Sequence, residues 1–425
     1  MSKTVQHDKL LDYMTDGIKY VCQNFKRRAP GTQSERDAQD FFKKELEKYS
    51  DEVISEDFEL HPHAFMGFIP VAAIFVLIAI AFYWIALFKT GTAPIVLRSV
   101  SIVILMFSMF MFLYEFMMYR EFVDFLFPKR VSRNVYATRK PSGEVKRRII
   151  FGGHADAAYE WTYSLHGGLA VLLPVIVGSI GGMFISIIFN LSSLIASFCG
   201  ADVSFHGVWK VFAIIELIFI PIAFAIIFFI NWSVIVDGAN DNLTACYISM
   251  AVLKDMADND FRFENTEVGC LISGSEEAGL RGAAAFAKRH KKEMLDVETV
   301  FISLDTMKEI EQLMVYTTGC TGTVHDCEAV GDLLHDAGKE MGVEMPRAGL
   351  YPGAVDAEAF SRCGIRSAGF CGVNHDPKKY YHTREDSWDN IDPDCIDLSF
   401  KICKKTAEIY DQKGGISEYE KKYQK

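Results

Sequence analysis

The sequence predicts an α/β fold: a mixed central sheet flanked by helices, with four transmembrane α-helices added as two hairpins. Three observations predict it. Strand-like and helix-like runs alternate along the polar parts of the chain, the pattern of a sheet covered by helices. Four long apolar stretches interrupt that alternation, in two pairs. Three of the strand-like runs end directly on a His or an acid.

Composition separates the two parts. Of 425 residues, 50% are hydrophobic and 23% charged, with a formal net charge of −11. An evenly mixed soluble chain rarely combines these values, so the apolar residues are expected to be concentrated. A chain this apolar is not disordered, and an acidic balance with only short basic clusters excludes nucleic acid as the main partner. The ten cysteines (22, 199, 246, 270, 320, 327, 363, 371, 395 and 403) are too sparse for a disulfide scaffold and include no C-x-x-C. They read as free thiols in a reducing compartment.

In chain order, Met1–Ser50 is charged and helix-like and lacks the apolar core of a secretory leader. Ala64–Phe88 then runs 25 residues without a charge, and Ser99–Tyr119 runs 21 with only Glu115. Gly167–Cys199 is 33 uncharged residues, and Val211–Val236 is 26 with only Glu216. A bilayer core of about 30 Å needs roughly 20 apolar helical residues, so each stretch is long enough to span. Short linkers join the first pair and the second pair, so each pair leaves and re-enters on one side. The expected organisation is a soluble domain in three segments (1–63, 120–166 and 237–412), transmembrane hairpins at 64–119 and 167–236, and a polar, mobile tail at 413–425. Arg120, Lys129, Arg130, Arg133, Arg139, Arg147, Arg148 and Lys254 flank the spans on the domain side, against Lys89, Arg98 and Lys210 opposite. The positive-inside rule then makes this a multi-pass membrane protein with its domain in the cytoplasm.

Within the soluble segments, strands are expected at Arg133–Thr138, Arg148–Gly152, Val268–Ser273, Thr299–Leu304 and Ser367–Gly372. Helices are expected at Ser34–Tyr49, Asn242–Asp258, Gly279–Leu295, Ala329–Met341 and Asp394–Tyr410. The second strand runs into His154-Ala-Asp156, the third into Glu276-Glu277 and the fourth into Asp305. Ligands gather at the carboxyl ends of strands in open α/β sheets. Asp241, in Gly-Ala-Asn-Asp-Asn, and His382, in Tyr-Tyr-His-Thr-Arg-Glu-Asp, are further candidates in loops. Imidazoles and carboxylates without thiolates suit a catalytic zinc pair rather than a closed structural site. A carboxylate can bridge two ions about 3.5–4 Å apart. In an adjacent Glu-Glu pair, one side chain can bind metal while its neighbour moves a proton.

Taken together, His154-Ala-Asp156, Gly238-Ala-Asn-Asp241-Asn, Ser275-Glu276-Glu277-Ala-Gly-Leu-Arg-Gly, Leu304-Asp305 and Tyr381-His382-Thr-Arg-Glu-Asp386 follow one another as in metallopeptidase family twenty-eight. The chain resembles these co-catalytic zinc aminopeptidases of the bacterial leucyl aminopeptidase and aminopeptidase Y type. Arg28-Ala-Pro-Gly-Thr-Gln-Ser-Glu and Asp356-Ala-Glu-Ala-Phe-Ser-Arg-Cys-Gly-Ile extend the likeness over most of the soluble segments and none of the hairpins. The resemblance implies a zinc aminopeptidase-like sheet and two Zn2+ ions bridged by Asp241. It assigns His154 and Asp305 to one ion and Glu277 and His382 to the other. It also implies Glu276 as general base, activating a bridging water and protonating the leaving amine, and Asp156 as the group that orients His154. The implied substrates are peptides with a free N-terminus, and the hairpins add the lipid bilayer as a partner.

The chain departs from the family in three places. The second hairpin replaces a short loop between His154 and Asp241. Leu243-Thr244-Ala245 stands where Gly-Ser-Gly is usual. Thr306-Met307-Lys308 lacks the usual Gly after Asp305, which is expected to alter the substrate pocket. Two other functions fit the same fold: glutaminyl cyclisation or non-peptide amide hydrolysis, and a non-catalytic membrane scaffold. Retention of every ligand and of Glu276 favours the peptidase. Glu115 and Glu216 lie near span ends and are expected to reach the interface. Gly178-x-x-x-Gly182 offers either a dimer face or an internal contact. Lys288–Lys292 reads as a basic helix end, and His61, His63, His206, His325 and His375 as surface or packing residues.

Overall fold

The computed structural model describes residues 3–319, 321–349, 353–374 and 380–423, so Cys320 and His375 lie outside the described residues. Helices α1 (Lys3–Asn24) and α2 (Gln33–Leu46) lead into strand β1 (Glu52–Leu60). Helices α3 (Ala64–Ala86) and α4 (Ala93–Met111) form the first insertion. Strands β2 (Arg130–Arg139), β3 (Arg147–His154) and β4 (Tyr159–Trp161) precede the second, which comprises α5 (Thr162–Leu165), α6 (Leu169–Phe198), α7 (Gly207–Glu216) and α8 (Phe219–Ile227). The chain continues through β5 (Ile230–Ile235), α9 (Thr244–Asp258), β6 (Thr266–Ser273), α10 (Arg281–Arg289), α11 (Lys291–Met294), β7 (Glu298–Met307) and β8 (Met314–Thr318). It ends with α12 (Glu328–Glu340), β9 (Arg347–Gly349), α13 (Ala357–Arg362), β10 (Arg366–Gly372), α14 (Pro393–Gln412) and α15 (Ser417–Glu420). The chain forms two compact units, one of 1–62, 128–160 and 233–425, the other of 63–127 and 161–232.

The first unit is a mixed eight-stranded sheet in the order β1-β2-β6-β3-β7-β10-β8-β9. Its four central strands, β6, β3, β7 and β10, are parallel; the β1-β2, β2-β6 and β10-β8 pairings are antiparallel, and the outermost β8-β9 pairing is parallel. Because β3 and β6 run in register from Arg147↔Thr266 to His154↔Ser273, the two strands end side by side. β7, also parallel, brings Asp305 to the same edge. Strand register therefore sets three chemically active segments along one edge.

Alternation along each central strand sorts its residues between two faces. Ile149, Phe151, Val300, Ile302 and Leu304 face a core shared with α1, α2, α9, α12 and α14. On the other face Phe301 stacks on Phe360 of α13 at 3.8 Å, and Phe286 of α10 lies 5.1 Å from Tyr136. Helix α9 packs so close to β3 that a Cβ at Gly153 would collide with Ala245. In α2, Thr32 caps Glu35 N, and the buried residues Glu35, Ala38, Gln39, Phe42 and Leu46 recur at helical spacing.

Residues 413–425 read as a mobile tail from composition, and the described part of them corrects that reading. Ile416 and Tyr419 are buried. Tyr419 Oη donates to Asp336 at 2.7 Å, Ile416 N donates to Glu298 at 3.0 Å, and Arg366 pairs with Glu420 at 2.5 Å. Two apolar side chains in a charged sequence are enough to seat the segment, because they fill the surface between α12 and the start of β7.

The second unit is helical. Four helices, Ala64–Ala86, Ala93–Met117, Leu169–Phe198 and Gly207–Ile227, are long and apolar enough to cross a membrane. Val76, Ala79, Ile80, Leu105, Met109 and Met183 pack inside, while Val103, Phe184, Ile188, Ile195, Ile214 and Phe224 stay exposed. Helices apolar on the outside as well as the inside suit a lipid solvent. Gly182 lies against Phe219 and Gly178 against Ile222, so the small-residue pair packs on α8 within this unit. Three charged residues depart from expectation. Glu115 is buried, and its Oε1 accepts from Phe122 N and Val123 N at 2.6 Å, holding the turn that leaves α4. Arg98 belongs to α4 rather than to the loop and is 1% exposed. Glu216 is fully buried mid-way along its span, since the span starts at Gly207 rather than Val211 and ends at Ile227, the apolar residues beyond it forming β5.

Candidate metal centre

The residues singled out in the sequence converge at the carboxyl edge of the parallel strands. His154 ends β3 and is buried. Its Nε2 lies 3.1 Å from Asp241 Oδ1, 3.8 Å from Glu276 Oε2 and 3.8 Å from Asp305 Oδ2. His382 Nε2 lies 3.1 Å from Asp241 Oδ2 and 3.2 Å from Glu277 Oε1. The two oxygens of Asp241 thus face two different imidazoles. Ligand atoms of His154, Glu276 and Asp305, and of His154, Asp241 and Glu277, form two groups able to hold a metal ion.

Buried carboxylates hold the backbone that carries these groups. Asp156, fully buried, accepts from Glu276 N through Oδ1 and from Glu277 N through Oδ2, both at 3.0 Å, and its Oδ1 stands 3.4 Å from His154 Nδ1. It therefore fixes the Glu-Glu pair as well as facing the imidazole. Glu35 accepts from Ser275 N and Gly31 N at 2.7 Å, clamping a serine whose φ is +54°. Asp386 accepts from Asn240 N at 2.7 Å, Asn240 Nδ2 at 2.9 Å and Asp241 N at 3.2 Å. Asp356 accepts from Ser273 Oγ, and Arg28 ties Ala155 O to Asp237 O. Thr306 stands at φ +49°, a conformation unfavourable for a β-branched residue. Its hydroxyl donates to Asp305 Oδ1 at 2.6 Å, leaving Oδ2 directed at His154. The missing glycine thus becomes a side chain that orients Asp305.

Of these supports, Asp386 was visible only as the end of a motif, and Glu35 only as the last residue of the Arg28–Glu35 stretch that extends the family likeness. Asp386→Asn keeps the shape and puts an amide against backbone donors. Loss of such an orienting group typically costs about 10–100-fold in metal affinity or activity. Competition with a coloured chelator is expected to show zinc affinity falling within that range.

Electrostatics favour a cation here. Burial raises Glu276 well above the carboxylate range; His154 opposes this, but Glu277 and Asp305 reinforce it. Burial and the Asp241 charge push Asp305 up to about 8, and burial with Asp241 pushes Asp386 up to about 7. Burial alone would lower His382, but Glu277 and Asp241 outweigh it and raise it to about 10. Too many carboxylates share two imidazoles for all to be charged without added positive charge. Both ring nitrogens of His154 and Oε1 of Glu277 close no hydrogen bond although fully enclosed. Two ligands at ~2.0–2.1 Å from a tetrahedral zinc stand roughly 3.3 Å apart, close to the imidazole–carboxylate separations found. The residues present fit zinc.

Such a sheet, with a buried His and carboxylate cluster on its carboxyl edge, forms a candidate metal centre. Residues 228–407 match Peptidase family M28. The match spans Asp241, Glu276, Glu277, Asp305 and His382, while His154 lies upstream, across the second insertion. No curated protein gives a significant match. Among solved structures, the chain is similar to an aminopeptidase from Aneurinibacillus sp. strain AM-1 (14% identity, 94% of this chain and 93% of that chain covered, TM-score 0.54). It is also similar to a leucine aminopeptidase precursor from Bacteroides thetaiotaomicron (11%, 93% and 96%, TM-score 0.53) and to a glutaminyl cyclase from Fimbriiglobus ruber (13%, 94% and 95%, TM-score 0.53).

Proposed function

We propose that the chain is a membrane-anchored dizinc aminopeptidase that removes N-terminal residues from peptides. One observation carries this reading: Asp241 directs one oxygen toward His154 and the other toward His382, with Glu276 beside the first imidazole. His154 and Asp305 would hold one ion, Glu277 and His382 the other, and Asp241 both. Bound zinc supplies Lewis acidity toward the scissile carbonyl and a water of lowered pKa. Glu276, left out of that ligand set, takes the proton of the attacking water and returns it to the leaving amine. Asp156 holds Glu276 and Glu277 at fixed spacing through their amides, so base and ligand keep one geometry. The four apolar helices anchor the enzyme in the bilayer as a multi-pass protein, and the Lys and Arg distribution supports a cytoplasmic hydrolytic domain.

The test is a panel of peptide and aminoacyl-amide substrates with free and blocked N-termini, including N-terminal glutamine, with zinc measured on the same full-length protein. Two zinc ions per chain and turnover confined to free amines are the expected results. Turnover of blocked amides would make the protein an amidase. Ammonia release from glutaminyl peptides with ring closure would make it a cyclase, the activity named for the Fimbriiglobus ruber neighbour. Bound zinc with no turnover of any substrate would leave a scaffold.

A further inference from the structure

The second unit contains a file of polar side chains that apolar packing does not explain. Ser186, Asn190, Ser193 and Ser197 recur every three or four residues along α6 and so share one face. The first three are fully buried, as are Tyr83 of α3 and Glu216 of α7, and Arg98 of α4 is 1% exposed. Arg98 Nη1 donates to Ser197 Oγ at 2.9 Å, and Ser193 Oγ donates to Tyr83 Oη at 3.1 Å. Asn190 Nδ2 donates to Ser186 O at 2.9 Å, and Ser186 faces Glu216. Arg98 Nη2 also donates to Val203 O, in the loop between α6 and α7, which sets the guanidinium at the loop end of the bundle. Ser197 to Ser186 is roughly 16 Å at ~1.5 Å per residue, about half of a ~30 Å hydrocarbon core. The file therefore enters at the loop end and stops on a carboxyl at mid-bilayer.

Its inner end is a cluster of buried polar atoms. Glu216 has Ser186 beside it but no hydrogen bond of good geometry to either oxygen, and Asn190 Oδ1 closes none, nor does Arg98 Nε at the outer end. Polar side chains that serve only to join helices spend their donors and acceptors across the helix interface. Here Ser193 reaches across to Tyr83, but Asn190 donates back into α6, to Ser186 O, which leaves the Asn190 carbonyl oxygen for the interior. Leaving such atoms unpaired in hydrocarbon is costly, and an ionisable group among them marks a path for water or ions.

We propose that the second unit encloses a water-filled half-channel. It opens at the loop end beside Arg98 and Ser197 and ends on Glu216, and it brings water and a proton or small hydrated cation to that carboxyl. The proposal rests on the membrane-spanning reading of these helices and is independent of the hydrolytic one. It is tested by cysteine substitution in full-length Cys199→Ser protein in lipid nanodiscs. Ser193→Cys, Asn190→Cys and Ser186→Cys probe the file, and Ile188→Cys, Leu191→Cys and Ile195→Cys the exposed face of the same helix. Cationic and anionic methanethiosulfonates are applied separately, and each modified peptide is followed by mass spectrometry. Only the thiolate reacts, and a thiol in lipid stays protonated, so the file positions are expected to react at least about tenfold faster than the lipid-facing ones. Equal, slow reaction at both sets would overturn the half-channel. Equal, fast reaction at both sets would overturn the membrane placement on which it rests.

Discussion

Glu276→Gln is expected to lower kcat by about 10²–10⁴-fold, the range for losing a positioned general base, while bound zinc and Tm stay at wild-type levels. The substitution is isosteric and removes only basicity. Glu276 is not needed to complete either proposed ligand set, and Asp156, which holds its amide, and Glu35, which holds the amide of Ser275 before it, remain. At 1.36 kcal/mol per tenfold, the loss is roughly 3–5 kcal/mol of transition-state stabilisation. A mainly structural role would show up elsewhere, in reduced zinc content or a lower Tm. A Glu276→Gln variant retaining more than about a tenth of wild-type kcat would remove Glu276 from the proton-transfer role.

The residues that carry chemistry were legible because each ends a strand or stands in a short motif. His154, Glu276, Glu277 and Asp305 follow apolar runs whose register forces them to one edge. Edge strands were not legible. β1 mixes charged and apolar residues at a sheet edge, and β9 is three residues long, so neither shows a sustained apolar run. Nor were the supports. Glu35 and Asp386 act on backbone amides 240 and 145 residues away in sequence, a relation no local pattern records.

Thr306 was read as a change to the substrate pocket, but it is fully buried, and its contact is with Asp305. Glu216 was misplaced for a simpler reason. An apolar count treats Phe228–Val236 as more span, although β-branched and aromatic residues there form a strand. With the helix starting at Gly207 rather than Val211 and ending at Ile227, an expected interfacial carboxylate becomes a mid-span one. Composition had shown where the apolar residues are concentrated, but not how they divide between helix and strand.

Asp241→Asn is expected to have the largest effect, because one side chain serves both proposed ions. Burial would raise its carboxyl, but His154 and His382 together hold it below the usual range, so in the metal-free protein it is an anion paired with two imidazoles. Zinc must displace protons from those imidazoles before it binds. His382 keeps its proton to about pH 10 in the metal-free protein, so apparent zinc affinity in the wild type is expected to rise with pH across the neutral range. With Asn at 241 the bridging charge is gone, and each remaining pair, His154 with Asp305 and His382 with Glu277, offers two ligands where a catalytic zinc ordinarily takes three from the protein. Zinc is expected to fall from two ions per chain to less than one, and activity to background. Stability gives a second readout, since a ligand at about 100 times its Kd stabilises by ~2.7 kcal/mol, or roughly 5 °C for a domain of this size. Thermal melts with and without zinc should show that increment in wild type and none in Asp241→Asn. An undiminished zinc-dependent shift in the variant would mean that the metal is held without residue 241, and the shared-ligand arrangement would be wrong.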